Sequence, residues 1–168
     1  MTGISFRYLP KPPSPGILDE IFSILATNMR VIAPTGLTYE EDRAQWLSCV
    51  LPALEKEARQ IILIHDRDEL IGFFQYYVTA DHGVFMMEEI QFKEAYRGSG
   101  LFGELYRYLI PRLPEDIQAV EAYADKRNRK SLGVLAHLGL TVIGENKNRI
   151  SYRLRGDFAR LREKYGKN

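Results

Sequence analysis

Cysteine is almost missing from this chain. Cys49 stands alone among 168 residues, so neither an intrachain disulfide nor a cysteine metal cluster can form. Histidine is scarce as well: His65, His82 and His137 lie far apart with no ligand spacing, and no metal is expected. Neither sign of charge dominates. A formal net charge of +1 supplies no electrostatic pull toward nucleic acid or a membrane surface. No apolar run approaches the roughly 20 residues that a membrane helix needs. Pro10, Pro12, Pro13 and Pro15 interrupt the amino-terminal region where a secretion signal would keep an unbroken apolar segment. Repeats and low-complexity tracts are also missing. These exclusions leave a cytoplasmic single domain over residues 1–168, expected to bind or act on a small molecule. Its 45% hydrophobic content suits one core.

What is present reads as alternating short elements. A strand is expected at 5–9, a helix at 17–29 and, after Pro34-Thr-Gly36, a second helix at 39–59. Thr38 and Glu41 form a capping-box pattern at the start of that second helix, and Pro52 is expected to kink it. Strands follow at 60–65, 70–79 and 84–92, joined by the turns Asp66-Arg-Asp-Glu69 and Asp81-His-Gly83. A helix at 101–113, stopped by Pro114, then leads to a strand at 119–124, a crossover that should be parallel and right-handed. A helix at 129–138, ended by Gly139, precedes a hairpin of strands at 141–145 and 150–155; Asp157 caps a tail helix. The fold class is therefore α/β: a mixed, mostly antiparallel central sheet of six or seven strands flanked by helices, with one parallel βαβ crossover.

The chain is organised around the stretch from Val84 to Leu113. Gly98, Gly100 and Gly103 sit where the chain must turn between an apolar strand and an amphipathic helix. Such a turn points unpaired N–H groups at the positive end of a helix dipole, which makes an anion site, with phosphate the expected anion. The letters GSGLFG also satisfy the dinucleotide pattern G-x-G-x-x-G, with Asp125 near where a ribose-binding acid is sought. That pattern opens the first unit of a large parallel sheet, whereas here it falls past the middle of a short chain.

Taken with Arg97, the turn reads R97-G-S-G100-L-F102, which resembles the pyrophosphate motif R/Q-x-x-G-x-G/A of the GCN5-related N-acetyltransferases. A second feature of that family, an Asn followed by a small residue three positions on and Gly eleven positions on, appears as Asn128, Ser131 and Gly139. The resemblance covers residues 60–155. It implies the acyl-CoA N-acyltransferase fold, in which the strand before the turn and the one after the helix splay apart. It also implies acetyl-coenzyme A as co-substrate and no metal. The pantetheine would pair with the backbone edge of Ile90, Gln91 and Phe92. The pyrophosphate would meet the N–H groups of Gly98, Ser99, Gly100, Leu101, Phe102 and Gly103, with Arg97 at the mouth. Asn128 and Ser131 would contact the pantetheine arm, and Arg127, Arg129 and Lys130 could reach the 3′-phosphate. Two positions depart from the pattern. Phe102 stands where Gly or Ala is asked for, and Leu135 where many relatives carry the tyrosine that protonates the departing thiolate.

Glu88 and Glu89 are the polar pair in the strand before the turn. An amine of pKa about 10.4 must lose a proton before it attacks a thioester, at a cost of roughly 4–5 kcal/mol near pH 7. A carboxylate at hand, directly or through a water, lowers that cost. Adjacent strand residues face opposite ways, so without a bulge one of the two enters the site. By resemblance to polyamine-acetylating relatives Glu88 ranks above Glu89. Tyr123, Tyr76 and Tyr77 are weak substitutes for the missing tyrosine. The expected activity is transfer of acetyl to a primary amine, on a small molecule or a protein, by direct attack in a ternary complex. The alternative is a non-catalytic module that binds coenzyme A. Neither nucleic acid nor membrane is an expected partner, and exposed edges in the last hairpin suit a monomer or homodimer.

Overall fold

The computed structural model describes residues 3–56 and 58–166. Seven strands form one sheet in the order β1-β2-β3-β4-β5-β7-β6. The chain falls into two compact units, the first running to Gln75 and including Glu89–Arg97, the second holding Tyr76–Glu88 and everything from Gly98.

In the first unit, β1 (Ile4–Tyr8) runs antiparallel to β2 (Arg59–Asp66), from Ile4 opposite Asp66 to Tyr8 opposite Ile62. β3 (Glu69–Val78) begins in this unit and β4 (Val84–Phe92) ends in it. Helix α1 (Pro15–Ile32) starts at the N-cap Ser14 with Pro15 in the first turn, where a missing N–H costs nothing. Its inward stripe is Leu18, Ile21, Phe22, Ile24 and, unexpectedly for an apolar stripe, Asn28. Helix α2 (Tyr39–Leu54) carries the complete capping box: Glu41 donates its N–H to Thr38 Oγ1, and Thr38 donates its N–H to Glu41 Oε2 at 2.8 Å. Two orphan donors are thereby satisfied. Pro52 lies inside α2, which ends two residues later rather than at Arg59, and Arg59 opens β2 instead. Ile21 and Ile24 from α1 meet Val50 and Leu54 from α2 over Ile61, Leu63, Leu70 and Phe73 of the strands.

The second unit holds the crossover. β4 and β5 (Ala119–Asp125) pair in parallel from Val84 opposite Ala119 to Met87 opposite Ala122, and both strands run on beyond that ladder. β7 (Ser151–Asp157) lies antiparallel to β5 along its whole length, and β6 (Thr141–Glu145) forms the edge beside β7, with a register shift between Val142 and Gly144. Helix α3 (Leu101–Leu109) is shorter than the expected 101–113, because Pro111 has no N–H to donate back into the helix. The chain tightens instead into a 3-10 turn, Ile110–Arg112, before Pro114 is reached.

Helix α4 (Arg129–His137) ends in a Schellman arrangement. Gly139, at φ +89°, donates to the Ala136 carbonyl, and Leu140 donates to that of Leu135. Asp157 caps α5 (Phe158–Tyr165) by accepting from Ala159 N–H at 2.9 Å. Phe85 is fully buried at the centre, edge-on to Tyr76 and to Phe158. The edge strand β6 is exposed throughout, Val142 and Ile143 included.

Candidate active site

The turn after β4 depends on glycine at two places. Gly98 and Gly100 have φ values of +73° and +84°, and a Cβ added at either would meet nothing within 4 Å. The demand is conformational, since the left-handed region costs an L side chain about 1–2 kcal/mol. Gly100 is the N-cap of α3, and no side chain caps it. Its carbonyl accepts from Gly103 and Glu104, which leaves the N–H groups of Leu101 and Phe102, at the start of α3, without an intrahelical acceptor. Gly98, Ser99 and Gly100 are exposed, which puts this positive helix end in reach of a soluble anion.

The expectation for Gly103 is corrected. It lies within the first turn of α3, where a Cβ would meet Arg107 Nη1 at an ordinary 3.5 Å. Gly100→Ala should therefore lower unfolding free energy by about 1–2 kcal/mol in urea titrations. Gly103→Ala should raise it by about 0.5–1 kcal/mol, because alanine is the better helix former. The Phe102 ring packs edge-on against Tyr106 one helical turn on, with centroids 4.8 Å apart. Tyr106 is fully buried and donates its hydroxyl to Met87 Sδ at 3.1 Å, fixing α3 against β4; burial pushes its phenol far up.

Within the first unit, Asn28 of α1 gathers the end of β4 and the motif arginine. Its Nδ2 donates to Gln91 Oε1 at 2.7 Å and to the Phe92 carbonyl at 3.0 Å, and Arg97 Nη2 donates to its Oδ1. Gln91 in turn donates to Glu89 Oε1 at 2.5 Å and approaches Met29 Sδ. Three consequences follow. Arg97 is exposed yet anchored, so its guanidinium is held in place by Asn28. The Phe92 carbonyl is already an acceptor, so the backbone edge expected over Ile90, Gln91 and Phe92 is not wholly open. Glu89 belongs to a side-chain network rather than standing alone.

Glu88 belongs to the second unit. Phe85 and Met87 point to the side of α5 and α3, through Phe158 and Tyr106 respectively, so alternation directs Met86 and Glu88 to the other face. The parallel ladder sets Met86 beside Glu121, placing Glu121 and Tyr123 of β5 on that face too. Tyr77 shares it, because its neighbour Tyr76 packs on Phe85. Of the three tyrosines weighed above, Tyr76 is core at 4% exposure, while Tyr123 is open at 46%.

Asn128 acts as the N-cap of α4, accepting from Ser131 N–H at 3.1 Å. Arg127 is engaged by Asp125 through two side-chain bonds of 2.9 and 2.8 Å, and its own N–H adds a third. These bonds hold the Asp125 carboxyl below its usual range and leave Arg127 less suited to a distant phosphate. Leu135, in the place of the missing tyrosine, is buried on α4. A cavity at the start of α5, lined by Ile117, Gln118, Asp157 and Arg162 among others, contains none of the expected site residues. From sequence Asn28 takes a place in the stripe of the first helix but no site role, and Glu121, Arg153 and Arg155 take none. The available signal was a polar residue in an apolar register, in α1 for Asn28 and in the strand AVEAYAD for Glu121.

No curated protein sequence gives a significant match. Solved structures do. An acetyltransferase from Thermus thermophilus superposes with a TM-score of 0.71 at 14% identity, over 94% of this chain and 99% of that one. A variant of a spermidine N-acetyltransferase from Vibrio cholerae gives 0.64 at 13%, over 95% and 96%. An N-acetyltransferase from Thermoplasma acidophilum, in complex with coenzyme A, gives 0.66 at 12%, over 92% and 98%. At such identities these likenesses establish the fold. The model of the acetyltransferase (GNAT) family matches residues 18–140, most of the length and both motif regions, and the chain belongs to that family.

Proposed function

We propose that this protein transfers an acetyl group from acetyl-coenzyme A to a primary amine by direct attack in a ternary complex, within a single acetyltransferase domain. The observation that carries the reading is the turn at Gly98 and Gly100, which leaves an uncapped, exposed helix start directly after the anchored Arg97. The open space around both glycines fits a pyrophosphate lying against main chain. In this reading 98–102 offer N–H groups to the pyrophosphate, the Gly103 N–H being already given to the Gly100 carbonyl, while Ile90 and Gln91 offer backbone to the pantetheine and Asn128 and Ser131 approach its arm. Acetyl-coenzyme A, when bound, supplies the thioester: the C–N bond forms as the C–S bond breaks, and the thiolate leaves to take up a proton. Glu88 accepts the proton of the incoming ammonium, leaving nitrogen with the lone pair that attacks.

A second reading is favoured by Leu135. With leucine buried where the family's proton donor would stand, the chain could bind coenzyme A without turnover. A thiol has a pKa near 8.5, so water suffices to protonate it, and the catalytic reading stands without that tyrosine. Release of free thiol across a panel of amines separates the two. Thermal unfolding tests the cofactor itself: coenzyme A should raise the midpoint and NAD should leave it unchanged. A rise with NAD alone would return the glycines to the dinucleotide pattern.

A further inference from the structure

Among the described residues, Glu121 is the only charged side chain that is buried, at 1% exposure. Two arginines of β7 converge on it. Arg153 donates Nε and Nη2 to Oε2 at 3.0 and 2.7 Å, and Arg155 donates Nη1 to Oε1 at 2.6 Å. One guanidinium would neutralise one carboxylate. The second adds a positive charge and sets two like charges side by side, so the cluster as a whole is cationic. Both arginine side chains remain about half exposed, at 44% and 46%. Arg153 keeps Nη1, and Arg155 keeps Nε and Nη2, beyond the bonds to Glu121. The buried carboxylate thus fixes the planes of two guanidinium forks whose outer donors face the sheet surface.

That surface is the face carrying Glu88. In the β5–β7 register Glu121 lies opposite Arg155 and Tyr123 opposite Arg153. Tyr123 and Tyr77 lie near Arg153 on this face. Glu88 on β4 and Arg153 on β7 are two strand spacings apart, at least roughly 10 Å between main chains. One end presents a carboxylate for an amine, and the other presents fixed donors with a net positive charge.

We infer that Arg153 and Arg155 bind a carboxylate on the acceptor, so that the acceptor is amino-acid-like, its primary amine a few bonds from an anionic group, and not a polyamine. Planar, bidentate donors match a carboxylate, whereas a polycation approaching this face meets like charge. The inference rests on the acetyl-transfer reading and specifies its substrate class.

Its test measures thiol release from acetyl-coenzyme A with each common α-amino acid, with the corresponding carboxamide, and with spermidine. The expected result is a kcat/KM for at least one amino acid roughly tenfold or more above both its carboxamide and spermidine. That preference should collapse toward unity in Arg155→Gln, whose coenzyme A-induced rise in thermal midpoint shows that it is folded. If Arg155→Gln does not fold, Glu121→Gln/Arg155→Gln removes the buried charge along with its partner and takes its place. Equal rates for acid and carboxamide, a preference for spermidine, or a preference that survives Arg155→Gln each overturn the inference and leave acetyl transfer standing. Absence of thiol release with every amine overturns the transfer reading instead. The arginines are then judged by thermal midpoint in the presence of coenzyme A. A rise with amino acids in the wild type that is lost in Arg155→Gln upholds carboxylate binding at the arginine pair, and no rise overturns that as well.

Discussion

Glu88→Gln is expected to lower kcat for acetyl transfer by about 10²–10⁴ at neutral pH while leaving affinity for coenzyme A intact. The size follows from the protonation state of the acceptor. Near pH 7 a primary amine is almost wholly ammonium, and freeing its lone pair costs roughly 4–5 kcal/mol unless a base takes the proton. Glu88 is half-buried on the face opposite α3 and α5, at the last β4 position of the second unit. The variant should regain activity as pH rises, because the free-amine fraction grows roughly tenfold per pH unit below about 10.4. A residue with only a structural role would show no such recovery. Glu89→Gln makes the contrasting control. Its Oε1 accepts from Gln91, which is itself held by Asn28, so its loss should loosen the end of β4 and move stability more than kcat. A kcat loss larger for Glu89→Gln than for Glu88→Gln would reverse the assignment.

How much of this was legible in the chain itself depended on the range of the interactions involved. The capping box at Thr38 and Glu41, the cap at Asp157 and the left-handed Gly139 are settled within a few residues, and all were readable from local letters. The glycine turn was readable for the same reason, because the φ values of Gly98 and Gly100 are local demands that only glycine meets cheaply. Gly103 shares the motif but not the demand, and spacing alone could not tell the two apart. Pro111 ended α3 ahead of Pro114 because the missing N–H acts one turn back. What stayed hidden was long-range polar pairing. Asn28 finds Gln91 and Arg97 more than sixty positions on, and Glu121 finds its arginines more than thirty away. Nothing in a helix or strand period announces the partner of a buried polar group; it announces only that one must exist.

The Glu121 cluster carries the largest expected effect on stability. Arg153→Met/Arg155→Met leaves a carboxylate at 1% exposure with neither of its ion-pair partners. Breaking a buried pair this way should cost roughly 3 kcal/mol, the low end for such sites because the guanidinium groups are half exposed. Adding Glu121→Met removes the stranded charge and should recover most of the loss, which distinguishes an electrostatic penalty from general damage to β7. The pH dependence should change sign between these proteins. In the wild type, burial alone would push the Glu121 carboxyl up, but the hydrogen bonds and charges of Arg153 and Arg155 outweigh it and hold the carboxyl below the usual value. That contribution is present above the unfolded pKa of about 4.3 and is lost as pH falls through the lower folded value. In the double-arginine variant only burial remains, the folded pKa moves above the unfolded one, and the folded state binds the extra proton. This group's contribution to stability should therefore rise as pH falls in the variant, where in the wild type it falls. Urea midpoints measured from neutral to acid pH for the three proteins read out both signs. Parallel curves would show that the buried carboxylate is not what holds β5 to β7.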